Sequence, residues 1–112
     1  EAAARTDELF VDGHRPSAAV CYNDTVALGL MLGLNSRGIR PGGDFAVTGF
    51  DDISEASVAV PPLTTLTADP RERGRQAAAL LLQRLEEPDA PPRRTVAPVQ
   101  LRIRESSAAR PT

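Results

Sequence analysis

Two short apolar runs, Ala18–Tyr22 and Phe45–Phe50, each end at a pair of small polar residues, Asn23-Asp24 and Asp51-Asp52, and then give way to a helical pattern. A short continuous apolar run is the mark of a strand covered on both faces, as in a parallel sheet. Parallel neighbours need a crossover, and the stretch from Thr25 to about Arg37 supplies a helix for it, with Gly38 as a left-handed stop. Pro41-Gly42-Gly43-Asp44 reads as a turn before the second run. Pro61-Pro62 precedes a third extended run, Leu63–Thr67. The clearest helix start is Asp69-Pro70-Arg71-Glu72, with an acidic N-cap, proline at the first helical position and glutamate at the third. That helix is expected to reach about Glu87, where Pro88, Pro91 and Pro92 end it. An opening helix over Ala2–Val11, a last strand near Val96–Arg104 and a frayed tail over Ser106–Thr112 complete the pattern. Strands alternating with helices predict an α/β fold, a largely parallel sheet flanked by helices.

Composition removes several chemistries. All 13 basic residues are arginine, so no lysine is present for a phosphate loop or a Schiff base. The net charge of −2, with arginines interspersed among acids, gives no cationic footprint for a nucleic-acid backbone. No apolar run approaches the ~20 residues that span a bilayer, and Glu1–Arg5 has the wrong charge order for a secretory leader. Cys21 has no second cysteine to pair with, which fits a reducing compartment. As a nucleophile it would need a base, and the single histidine, His14, lies in a polar turn at the other end of the strand. A buried structural thiol is the better reading. One histidine and one cysteine cannot close a zinc site, and neither metal nor cofactor is expected. Asp51-Asp52 has the oxygen chemistry for Mg²⁺, but capping and hydroxyl binding account for the pair as well.

Ligands of open α/β sheets bind outside the carboxyl ends of the strands, where Tyr22-Asn23-Asp24 and Asp51-Asp52 are expected to lie. An Asn amide donates and accepts, and a carboxylate accepts from two hydroxyls at once. Such a set suits a sugar or the edge of a nucleobase. Helix capping is the competing role for the same residues. Asp24 and Asp52 are read as caps or supporting groups, like Asp69, and Asn23, Asp51 and Tyr22 as ligand contacts.

The same residues carry a family resemblance. Pro16–Gly29, with Asn23-Asp24, Ala27 and Gly29, resembles an element of the lactose-repressor family. So do Asp44–Asp52, Pro61-Pro62-Leu63-Thr64-Thr65, the set Gly74, Ala77, Leu81 and Leu82, and Leu101–Ser106. The matches run in unbroken order through nearly the whole chain. The resemblance implies a two-lobed, periplasmic-binding-protein-like core with an effector in the cleft, here a partial C-terminal lobe. It implies residues 1–68 in that lobe, 69–95 as a helix and crossover of the other lobe, and 96–105 as a strand returning to the first, with 106–112 as tail. Carried over by position, Asn23 and Asp51 fall where the family contacts its effector, and Pro70 where a larger cleft-lining residue is usual. Operator DNA would be bound only through an N-terminal helix-turn-helix that this sequence does not contain.

Association is a further expectation. The Thr25–Ser36 segment is apolar on nearly every side, and such a helix is buried all round. The resemblance places it, with the segment around Ile53–Val60, at a homodimer interface, for which Leu28, Met31, Leu32, Ser57 and Val58 are the candidates. The apolar stripe Gly74, Ala77, Ala78, Leu81 and Leu85 also needs a cover, so the chain by itself is expected to self-associate or swap this helix. Two functions follow. One is the sensing and dimerising part of a cytoplasmic DNA-binding regulator whose effector is a sugar or related polyhydroxylated molecule. The other is a secreted sugar-binding protein feeding a transporter. The regulator reading is preferred on the Pro61–Thr65 and Leu101–Ser106 elements. No enzyme is expected.

Overall fold

The two apolar runs become adjacent parallel strands. In the computed structural model, which describes residues 1–108, β1 (Ala18–Val20) lies beside β2 (Ala46–Thr48), with Ala18 opposite Ala46 and Val20 opposite Thr48. Between them α1 (Asp24–Asn35) makes the crossover. It ends before Gly38, whose φ of +74° suits a residue without a Cβ. A parallel bridge from Thr48 to Thr64 carries the sheet to β3 (Thr65–Thr67). Along the far edge of β3 runs β4 (Gln100–Arg102), antiparallel, with Thr65 opposite Arg102. The spatial order is therefore β1-β2-β3-β4. The regular strand pairing is shorter than the apolar runs, because the loops at the strand ends take over the remaining backbone groups.

The core forms where α1 covers the sheet. Ala27, Leu30, Met31 and Leu34 recur at helical spacing and are buried against Phe45, Val47, Ala56 and Leu63. Leu34 and Leu63 are fully buried, each worth roughly 1.5–3 kcal/mol relative to exposure. Met31, expected at a dimer interface, is 3% exposed and belongs to this core, because it falls on the inward stripe of the helix. Leu28 is partly buried and packs against this core, whereas Leu32 points outward and is 66% exposed.

The expected opening helix is instead a 3-10 segment, Thr6–Phe10, preceded by turns. Its geometry follows from how closely it approaches α1. A Cβ at Gly33 would stand 2.0 Å from Thr6 Oγ1 and 2.8 Å from the Ala3 carbonyl oxygen, and one at Gly29 3.1 Å from Ala2 Cβ. The two glycines thus form a flat track for the N-terminal segment, and Phe10 meets Phe45 edge to face at 6.0 Å.

Beyond β3, α2 (Ser54–Val58) having come before it, the long helix α3 (Pro70–Glu86) begins as its sequence predicts. The Asp69 carboxylate accepts from the Glu72 N–H at 3.1 Å. No residue of α3 is buried; Leu81, Leu82 and Leu85 are all exposed. The expected frayed tail is corrected at its start. Ser106 is fully buried, and its hydroxyl donates to the Val47 carbonyl at 2.7 Å and accepts from the Thr64 N–H at 2.8 Å. Ser107 is tied to Thr64 as well. Residues 109–112, the rest of that expected tail, lie outside the described residues. No helix among the described residues is long and apolar enough to cross a membrane.

Candidate functional site at the carboxyl ends of the strands

Backbone hydrogen bonds bring the two polar loops together. Cys21 N–H donates to Thr48 O and Gly49 N–H to Thr64 O, so β1, β2 and β3 end side by side. Asp24 N–H then donates to Phe50 O at 2.9 Å and Asp51 N–H to Leu66 O at 2.8 Å. The 22–24 and 50–53 loops are thereby fixed against each other at one edge of the sheet.

Asp24 is the internal anchor of this edge. It is fully buried, and its Oδ1 accepts from the Thr65 hydroxyl at 2.6 Å while Oδ2 accepts from Ile53 N–H at 2.9 Å. The expectation that Asp24 caps α1 is therefore corrected. Asn23 is the cap, its Oδ1 accepting from Val26 N–H at 2.9 Å. Only one of two adjacent residues can stand outside the first turn, and the partners Thr65 and Ile53 draw the carboxylate inward. The Asn23 amide NH₂ is left with no partner among the described residues.

Asp52 is likewise not a cap. The helix it precedes, α2, has Ile53 at its N-cap position and no side-chain cap bond. The Asp52 carboxylate instead accepts from Arg104 Nη2 at 2.8 Å, both side chains being about four-fifths buried, with Arg102 at 3.9 Å. A charge-assisted bond in a largely buried setting outweighs the cap of a helix one turn long. Asp51, by contrast, is exposed and has no side-chain partner among the described residues. Both residues lie at positive φ, +112° for Asp51 and +54° for Asp52. Non-glycine residues in this region cost on the order of 1–3 kcal/mol each, and such strain clusters at ligand clamps.

The structure thus places Asn23 and Asp51 in neighbouring loops, one offering amide donors and the other a carboxylate acceptor. Tyr22, 88% exposed, lines a groove of about 640 Å³ with Leu9, Val20 and Val26. That groove includes neither Asn23 nor Asp51. Burial pushes the Cys21 thiol above its ordinary value, which disfavours the thiolate. On the outer surface, Ser57 is exposed and Val58 is 76% exposed, as Leu32 is. Reading the sequence missed Thr65 and Arg104 as parts of this site; neither gives a local signal, since each acts on a residue about forty or fifty positions away.

Comparison with known proteins places this geometry in context. The model of the periplasmic binding protein-like domain matches residues 1–107. The HTH-type transcriptional repressor PurR of Vibrio atlanticus is 41% identical over 88 residues, which is 79% of this chain and 26% of the relative. The structure of a lac repressor dimer bound to operator and the anti-inducer ONPF superposes with a TM-score of 0.85 at 32% identity, covering 96% of this chain and 32% of that one. A LacI family transcriptional regulator from Enterococcus faecium, with bound ribose, gives a TM-score of 0.85 at 29% identity, covering 98% of this chain and 40% of that one. This chain spans about a quarter of the length of the curated relatives it matches. These relatives are repressors rather than enzymes. The chain belongs to the periplasmic binding protein-like domain family, and within it stands with the lactose-repressor-type transcriptional regulators.

Proposed function

We propose that this chain is the C-terminal part of the effector-sensing core of a cytoplasmic DNA-binding regulator, and that its edge at Asn23 and Asp51 contacts a sugar. The observation that carries the reading is an exposed Asp51 carboxylate, on a backbone at positive φ, in a loop that is hydrogen-bonded to the loop of the Asn23 amide at the ends of parallel strands. Vicinal hydroxyls would donate to the carboxylate and accept from the amide. The ribose held by the Enterococcus faecium regulator supports a sugar as the class. Effector binding would shift the balance between lobe arrangements and with it operator affinity, a coupling typically of ~1–3 kcal/mol. Operator contact would belong to a separate helix-turn-helix of the intact regulator, as the naming of the relatives suggests. A secreted binding protein is not favoured, since the matched relatives are repressors of operons.

In the intact regulator, Asp51→Ala should weaken effector binding more than tenfold, the effect of losing a charge-assisted hydrogen bond of ~1.5–3 kcal/mol. Calorimetry with the wild-type effector checks this, and unchanged affinity would remove Asp51 from the site.

The second element of the proposal is a homodimer. Leu32 and Val58 are large, apolar and exposed; Leu28, partly buried, lies one helical turn before Leu32, and exposed Ser57 precedes Val58. Exposed apolar patches mark contacts. A dimeric lac repressor structure supports the same association. Leu32→Glu should convert a dimer to a monomer in light scattering, because an unpaired charge would be buried in the contact. An unaltered mass would argue against this face.

A further inference from the structure

Asp51 and Asp52 are consecutive non-glycine residues at positive φ, yet only one of their carboxylates has a partner among the described residues. Arg104 provides that partner. Its Nη2 donates to Asp52 Oδ1 at 2.8 Å and its Nη1 to the Leu63 carbonyl at 2.9 Å. Its own backbone is fixed twice to Thr64: the Arg104 N–H donates to Thr64 Oγ1 at 2.8 Å, and the Thr64 hydroxyl donates to Arg104 O at 2.9 Å. The guanidinium is therefore a rigid strut from the segment after β4, which is tied to Leu63 and Thr64, to the loop after β2.

We propose that Arg104 is a positioning residue for ligand binding: by holding Asp52 inward, it fixes the left-handed dipeptide and so keeps the Asp51 carboxylate exposed at the strand ends. The importance of Asp51 rests on the function proposed above; the strut itself does not. Without it, the strained pair would relax toward ordinary backbone angles, since among the described residues the Asp52 side chain is otherwise met only by Arg102 at 3.9 Å, which is itself half exposed. The amides that the strut steadies, Asp51 N–H on Leu66 O, Asp52 N–H on Thr65 Oγ1 and Ile53 N–H on Asp24 Oδ2, would open more often without it. Loss of the strut should therefore loosen one dipeptide and leave the lobe folded.

The test is hydrogen exchange read by mass spectrometry on the intact protein, with Arg104→Gln against wild type. Exchange in the peptide spanning residues 49–54 should accelerate at least tenfold, while core peptides around Leu34 and Val47 keep their rates. Arg104→Lys, which retains the charge but not the two-pronged reach, should fall between the two. Equal acceleration everywhere would mean a purely structural role, and no change at 49–54 would equally overturn the proposal. Should Arg104→Gln fail to fold, Asp52→Asn removes the same bond from the other side with little change of shape, and the same selective loosening is expected. D-ribose titrated by calorimetry into the same proteins separates the two ideas. Selective loosening in a protein that ignores ribose would keep the strut and count against ribose as the effector. Ribose binding weakened at least tenfold by Arg104→Gln, with the core rates unchanged, would support both.

Discussion

Gly49→Ala is expected to destabilise the fold by at least about 3 kcal/mol, the sum of a steric clash and of two buried hydrogen bonds put at risk at ~1–3 kcal/mol each. A Cβ at this position would stand 2.2 Å from Asp24 Oδ1, 3.1 Å from Asp24 Cα and 3.2 Å from Leu63 Cδ2. None of these atoms is the free end of a flexible chain. The carboxylate is held by the Thr65 hydroxyl and by Ile53 N–H, and retreat would leave both donors unpaired in a site that water does not reach. Leu63 is fully buried and has no space to move into. Thermal or urea denaturation checks the result, with Gly38→Ala as the control. Gly38 also has positive φ, but nothing lies within 4 Å of its added Cβ, so only the backbone penalty of ~1–2 kcal/mol applies there. A Gly49→Ala protein as stable as the control would mean that Asp24 is not locked in place.

Ser106→Ala is the second large effect, about 2–4 kcal/mol, because one hydroxyl serves two buried backbone groups. Removing it leaves the Val47 carbonyl and the Thr64 N–H without these partners; Val47 and Thr64 are 0% and 2% exposed. The urea midpoint should fall with little change in slope, since the folded state keeps its shape. Ser107→Ala should cost clearly less, because that half-buried hydroxyl makes a single bond, to Thr64 Oγ1. Equal losses at the two serines would mean that the pair acts only through general packing of the segment.

The parts of this molecule that could be read in advance are those determined by neighbours in sequence. The start of α3 is complete within Asp69-Pro70-Arg71-Glu72, and the cap forms as that spacing requires. The parallel pairing of the first two apolar runs and the crossover between them follow from period and length alone. What escaped depends on contacts made late in the chain. Whether Asn23 or Asp24 caps α1 is decided by Thr65, which lies 41 positions beyond Asp24. Between cap and supporting group, the two roles local sequence allows Asp52, the choice is made by Arg104, 52 positions away. Met31 went to the wrong side of α1 because a helix apolar all round offers no polar stripe to orient it. Resemblance named Asn23 and Asp51 together; hydrogen bonds then put their loops side by side.

The bond from Ser106 to Val47 closes a separation of 59 residues. A ribosome delivers the strand long before the serine, so β2 must wait with a carbonyl unsatisfied and with the Thr64 bridge half supported. Folding dominated by such distant pairs is slow, and its intermediates expose strand edges. During synthesis, the chain can therefore hold its hydrophobic layer, from α1 to Leu63, and still be unfinished. It becomes a closed unit only once residues 104–107 have emerged, which makes this short segment the timekeeper of the domain as well as its seam.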